Sequence, residues 1–247
     1  MYKNIDRVGS LWIGKTLSKI EILSIQSFIS NGHSYHLYVY DDIDNVPSDV
    51  KLEDANSIIS KEDIFYAPGP FGGKSLGAFS DYFRYKMLKL FGGWWVDTDI
   101  ICMKPFCFED EYVFAYQRQP NNVNLITTGV IKFPKDCVEL NYCIDYCEKI
   151  EDKSSISWCS IGPFLLDYVV KKYNLENFVK GPEVFMPINW WDSSDMFKEN
   201  TNTTIPNESY SVHLWNSILS SNGIDKNKSY HTSSLFEKIK NKINIGI

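Results

Sequence analysis

Residues 80–100 read SDYFRYKMLKLFGGWWVDTDI, and this stretch holds a helix, a stop, a strand and two carboxylates in that order. From Leu76 to Phe91 the apolar residues Leu76, Phe79, Phe83, Met87, Leu88 and Leu90 recur at helical spacing, which predicts an amphipathic helix. Gly92 and Gly93 supply the expected C-terminal stop. Trp94 to Val96 then read as a short aromatic strand, with Asp97 and Asp99 directly after it. Buried charge is costly unless something pairs with it. If Val96 to Ile100 stays extended, side chains two apart point the same way, so both carboxylates share one face and Thr98 the other. A hard divalent cation, Mg2+ or Mn2+, takes such oxygens and keeps positions open for phosphate, whereas Zn2+ would favour His or Cys. Taken alone, the triplet also reads as an acidic turn. Asp81 and Arg84, at i and i+3, share one helix face. They fit either a surface ion pair contributing roughly 0.2–0.5 kcal/mol or a set of acceptors and donors for neighbouring sugar hydroxyls.

Outward from this stretch the pattern is α/β. VGSLWI at 8–13 predicts a first strand, and Ser18 with Glu21 forms a capping box opening a helix through Ser30, stopped by Asn31 and Gly32. YHLYVY at 35–40 predicts a second strand, followed by polar, turn-forming residues to about residue 60 with only short helical pieces. APGPFGGKS at 67–75 is a loop by composition. After the acidic triplet come an apolar segment at 100–103, strands near 112–116 and 125–133, and helices near 135–149 and 162–173. Such alternation favours a mixed sheet covered by helices. Beyond residue 180, PINWWDSSD and ENTNTTIPNES read as long loops around a short SVHLW strand at 211–215. Long loops in a compact domain are more often functional than ornamental.

The chain has 247 residues, 44% hydrophobic and 15% aromatic, enough for a sizeable core and against disorder. Its net charge of −6 does not favour long contacts with nucleic-acid phosphates. The opening MYKNIDRVGSLWIG lacks a signal-peptide core, and no segment approaches the roughly 18 apolar residues of a spanning helix, so a cytoplasmic location is expected. The six cysteines, with no C-x-x-C pair, read as reduced and mostly buried.

The string SDYFRYKMLKLFGGWWVDTD resembles the S-D-x-x-R…GG-x-Y-x-D-x-D core of glycosyltransferase family 32. That family carries the DXD sugar-binding region and includes capsular polysaccharide transferases, the yeast initiating mannosyltransferase and, distantly, the clostridial toxin glucosyltransferase domains. LWIG at 11–14 is similar to the family's first strand, IGPFLL at 161–166 to its Gly-Pro segment, and VHLW at 212–215 to its His-x-Trp element. The resemblance implies a GT-A fold, with a mixed central sheet flanked by helices. It also implies a nucleotide-diphosphate sugar donor (a UDP-sugar favoured, a GDP-sugar the other choice), Mn2+ or Mg2+, and transfer with retention to an oligosaccharide or lipid-linked glycan in bacterial surface polysaccharide synthesis. By position it assigns Asp99 to the metal and Asp97 to the ribose or the metal through water. Asp81 and Arg84 fall to the donor sugar, with Trp95 also on the donor side, Trp12 near the base, and His213 closing the metal-diphosphate site. Trp95 stands where the family usually has tyrosine, and ITTGV at 126–130 lacks the usual asparagine. No nucleophile is nominated.

Adjacent carboxylates committed to a metal do not suit a glycosidase, which needs two flanking the scissile bond. A non-catalytic glycan-binding module on the same fold remains open. So does a two-metal nucleotidyltransferase or phosphoesterase, with Asp192 or Asp195 as the further carboxylate. The chain divides into a catalytic domain at 1–223 and a tail at 224–247. The tail carries five lysines against Asp225 and Glu237, with Leu235, Phe236, Ile239 and Ile243 on one helical face. Such a helix packs on its own domain or lies peripherally on an anionic membrane, on its inner face.

Overall fold

A computed structural model describes residues 7–243. The first six residues of the opening segment and residues 244–247 of the tail lie outside the described residues.

Trp94 and Trp95 set the layering. Adjacent in a strand, they point to opposite faces, and both are buried. Trp94 packs on Phe106 and Phe185, and Trp95 on Phe83. Their strand, β6 (Gly93–Val96), is the centre of a seven-stranded sheet. On one side it pairs in parallel with β1 (Val8–Trp12), followed by β2 (Tyr35–Val39) and the edge strand β3 (Lys51–Asp54), all parallel. On the other side it pairs antiparallel with β9 (Val123–Phe133), itself antiparallel to β8 (Val113–Gln119), which pairs in parallel with β10 (Val179–Lys180). The sheet is therefore mixed and changes sense at β6. In open α/β sheets ligands bind beyond the carboxyl ends of strands, where the strand order switches.

One face of the sheet is covered by α2 (Gly77–Phe91), α3 (Val138–Glu148) and α4 (Pro163–Lys172), packed on Phe83, Trp95, Phe114 and Ile131. The other is covered by α1 (Lys19–Ser30) and α5 (Pro182–Phe185), around Phe28, Trp94 and Phe106. Full burial of each such side chain contributes about 1.5–3 kcal/mol. The helix α2 stops where expected: Gly92 has φ 65 and its N–H bonds Leu88 O at 2.7 Å. A Cβ there would lie 2.7 Å from Lys135 N, so both the turn and the close approach require glycine.

Three expectations are corrected. The segment 41–60 contains β3, whose KLED carries no apolar alternation because the strand is an exposed edge recruited by backbone pairing with β2. Residues 67–75 are not plain loop: β4 (Ala67–Pro68) and β5 (Lys74–Ser75) form a small hairpin. WWDSSD belongs to a 3-10 helix, Trp190–Phe197.

Past Asp99 the chain enters β7 (Ile100–Cys102), which pairs antiparallel with β11 (Ser211–His213). The short helix α6 (Asn216–Ser221) follows at once. The tail ends in α7 (Leu235–Ile243), whose Phe236 and Ile239 are buried with Ile20, Leu23, Phe197 and Leu219. Its apolar face is thus occupied by the chain's own domain. No helix among the described residues is long and apolar enough to cross a membrane.

Candidate active site

The two carboxylates leave the C-terminal end of the central strand, but not in extended chain. Ile100 N bonds Asp97 O at 3.1 Å, closing a turn over Asp97–Thr98–Asp99. The expectation of strand alternation is therefore corrected: the turn brings the carboxylates together, and Thr98 lines the same cavity instead of facing away. That cavity has a volume of about 760 Å³, and Asp81, Arg84, Trp95, Asp97, Asp99 and His213 all line it.

Asp99 is buried at 6% exposure, with its Oδ1 at 3.2 Å from His213 Nε2 and its Oδ2 accepting the Asn216 N–H at 2.6 Å. Burial pushes this carboxyl up, but the charge and hydrogen bond of His213 and the Asn216 amide outweigh it, holding the group below the usual carboxylate range. The pairing of β7 with β11 sets His213 opposite Ile100 and so beside Asp99. The His213 ring stacks on Trp215 with centroids 3.8 Å apart, and its Nδ1 is buried with no hydrogen-bond partner. Asp97, Asp99 and His213 each offer a ligand atom within 4.8 Å of the others. Two carboxylates and an imidazole with an unused nitrogen fit a divalent cation.

Asp81 and Arg84 line the same cavity, and they are not a surface pair. Arg84 is 3% and Asp81 8% exposed. Arg84 Nη2 lies 3.2 Å from Asp81 Oδ1, and Nη1 lies 3.2 Å from Asp97 Oδ1 and donates to Thr128 O. Nε bonds Ser80 O at 3.2 Å and Nη2 bonds Ser80 Oγ at 3.0 Å. The guanidinium is thus used to hold two carboxylates in place, while its face lies 4.8 Å from the Trp95 ring centroid. Thr128 Oγ1 donates to Asp81 Oδ1 at 2.9 Å. Burial raises the Asp81 carboxyl to about 6, against the opposing effects of Arg84 and Thr128. Its Oδ2 lies against Gly162, where a Cβ would be only 2.2 Å away.

Trp95 Nε1 donates to Asp97 Oδ1 at 2.8 Å. The indole therefore gives its polar group to the carboxylate beside it. Trp12 does not line the cavity; its neighbour Leu11 does. The Trp12 indole N–H is buried without a hydrogen-bond partner, and Lys226 Nζ lies 6.0 Å from its ring. Asp192 and Asp195 line a separate hollow with Asn189, and Asp195 pairs with Lys198 at 2.5 Å. They bring no further carboxylate to Asp97 and Asp99, which removes the support for a two-metal site. Thr128, Trp158, Trp190 and Asn216 were not singled out from sequence, yet all line the cavity. ITTGV, which lacks the family's asparagine, lies inside β9 and not at a strand end, and there Thr128 holds Asp81.

Two family models match the chain: the glycosyltransferase sugar-binding region containing the DXD motif over residues 19–119, and the alpha 1,4-glycosyltransferase conserved region over residues 154–239. The first contains Asp81, Arg84, Asp97 and Asp99, and the second His213 and Asn216, so the cavity lies where the two matched regions meet. Among solved structures, PaToxG Glycosyltransferase is similar at 17% identity over 68% of each chain, with a TM-score of 0.46. No curated protein matches the chain. Both matched regions are described as glycosyltransferase regions, each spanning less than half of the chain.

Proposed function

We propose that this chain transfers a sugar from a nucleotide-diphosphate donor to a glycan hydroxyl, with Asp97, Asp99 and His213 holding Mn2+ or Mg2+. The observation that carries the reading is one cavity lined both by a cation-type donor set and by a buried Asp–Arg–Thr cluster. Its volume of about 760 Å³ suits a ligand of nucleotide-sugar size. When bound, the cation supplies Lewis-acid stabilisation of the charge that grows on the leaving diphosphate.

The chain's own groups bind and orient. Asp81, anchored through Oδ1, offers Oδ2 to sugar hydroxyls. Arg84 and Trp95 fix Asp97 and so act on the donor through it. A place for Trp12 near the base is supported by the resemblance of LWIG to the family's first strand, with Leu11 rather than the buried Trp12 indole lining the cavity. Retention, a UDP-sugar in preference to a GDP-sugar, and a role in bacterial surface polysaccharide synthesis are supported by the family resemblance. In the same reading residues 1–223 form the catalytic unit. The tail at 224–247 would meet an anionic membrane through the exposed Lys238 and Lys242, because its apolar face is covered.

The test is thermal unfolding with UDP or GDP, with and without Mn2+. A ligand at 100 times its Kd stabilises by about 2.7 kcal/mol, so one diphosphate is expected to raise Tm only with Mn2+ present. No response to any nucleotide diphosphate with Mn2+, or an undiminished response in Asp99→Ala, overturns the reading.

A further inference from the structure

Glu21 opens α1 as a helix cap, yet it is fully buried. A capping carboxylate need only accept the N-cap N–H, which Glu21 Oε2 does from Ser18 at 2.6 Å. Its Oε1 is taken by two donors from far along the chain: Asn216 Nδ2 at 2.7 Å and Lys226 Nζ at 3.0 Å. Asn216 is the residue whose backbone N–H holds Asp99 Oδ2 at 2.6 Å. The residue before it, Trp215, sits in the left-handed region at φ 62, ψ 59 and stacks on His213. A tryptophan keeps that conformation only where its surroundings over-determine it.

The contacts close a ring. The helix α1 is itself fixed to the strand that leaves Asp99, since Ser24 Oγ donates to Ile100 O at 2.5 Å and Ser27 Oγ accepts from Cys102 N at 2.7 Å. From α1 the ring passes through Glu21 to Asn216 and back to Asp99. Neither the cap nor the packing of α1 requires the second half of it.

We propose that Glu21 is a positioning residue for the Asp99–His213 corner: with Lys226 it fixes Asn216, whose N–H orients the Asp99 carboxylate for a divalent cation. The inference rests on the metal reading above. Partners that orient metal ligands are typically worth 10–100-fold in affinity. The test titrates Mn2+ into the full-length, metal-free protein, following free Mn2+ by electron paramagnetic resonance, for wild type, Glu21→Gln, Lys226→Met and Asn216→Ala. Lys226→Met and Asn216→Ala leave the Ser18–Glu21 cap in place. Each is expected to weaken Mn2+ binding about ten-fold with helix content held, and to raise the Mn2+ requirement for turnover while kcat at saturating Mn2+ is kept. Glu21→Gln is expected to weaken binding at least as much. Should Glu21→Gln or Lys226→Met fail to fold, Asn216→Ala still decides, since it leaves the Glu21–Lys226 pair and the Ser18–Glu21 cap in place. Wild-type Mn2+ affinity in both Lys226→Met and Asn216→Ala overturns this proposal alone. A wild-type protein that takes up no Mn2+ overturns the metal reading and this proposal together.

Discussion

Gly162→Ala places a single methyl group against Asp81, 2.2 Å from Oδ2, 2.6 Å from Cγ and 2.9 Å from Oδ1. Carbon and oxygen approach to about 3.3 Å, so something must give by about 1 Å. The aspartate has no flexible far end to swing away, and its Oδ1 is already held by Thr128 and Arg84. The glycine is held as well, because the Tyr85 hydroxyl donates to Ile161 O at 3.1 Å and to Gly162 O at 3.3 Å. Displacing the carboxylate breaks a hydrogen bond to a buried group, a cost of about 1–3 kcal/mol. A misplacement of about 1 Å in a binding group lowers turnover by about 10²-fold. The assay pairs kcat/KM, measured with the donor that thermal unfolding identifies, with Mn2+ affinity and urea unfolding of the metal-free variant. The expected result is an about 100-fold loss of kcat/KM with Mn2+ binding retained, since Asp81 is not among the three residues whose ligand atoms converge and is linked to Asp97 only through Arg84. Undiminished kcat/KM would refute the reasoning that the seat of Asp81 matters; loss of Mn2+ binding in parallel would refute its separation from the metal corner.

Two further predictions concern the same cavity. Burial raises Asp81 from 3.8 to about 6, so between those values the folded chain keeps a proton that the unfolded chain releases. This group's contribution to stability therefore falls as pH rises from about 4 to 6 and stays a cost above, about 3 kcal/mol in all. Urea unfolding at pH 4 and pH 7 is expected to shift in favour of Asp81→Asn, relative to wild type, by up to that amount; a pH-independent difference would contradict it. Trp95→Phe removes the N–H held by Asp97 at 2.8 Å, and a hydrogen bond to a charged group is worth about 1.5–3 kcal/mol. Donor KM is expected to rise about ten-fold or more, and a KM equal to wild type would show that Arg84 alone positions Asp97.

Much of the fold was legible because burial writes itself into sequence as periodicity. The α2 pattern, its Gly92 stop and the WWV strand follow from which side chains must leave water. β3 escaped because its side chains face solvent and its pairing with β2 is made by backbone groups that every residue carries. The same distinction governs the site. Asp81, Arg84, Asp97 and Asp99 lie within 19 residues of sequence and could be read together. His213 entered only through the family resemblance, because the pairing of β11 with β7 brings it in from the far end of the chain. Thr128 and Asn216 act through a hydroxyl and a backbone N–H, and neither group announces itself in a residue string.

Charge ties these pieces into one arrangement. Asp81, Asp97 and Asp99 line the same cavity with Arg84 as the cation between them. Three carboxylates there share one guanidinium, with the His213 imidazole beside Asp99. Buried charge left unmatched is costly, and a divalent cation held as proposed would add positive charge beside Asp97 and Asp99. Arg84 lies 3.2 Å from both Asp81 and Asp97 and has none left for Asp99. The carboxylate without the arginine is therefore the one paired with His213 and the Asn216 N–H, which makes Asp99 the group most dependent on the cation and on the C-terminal segment that orients it.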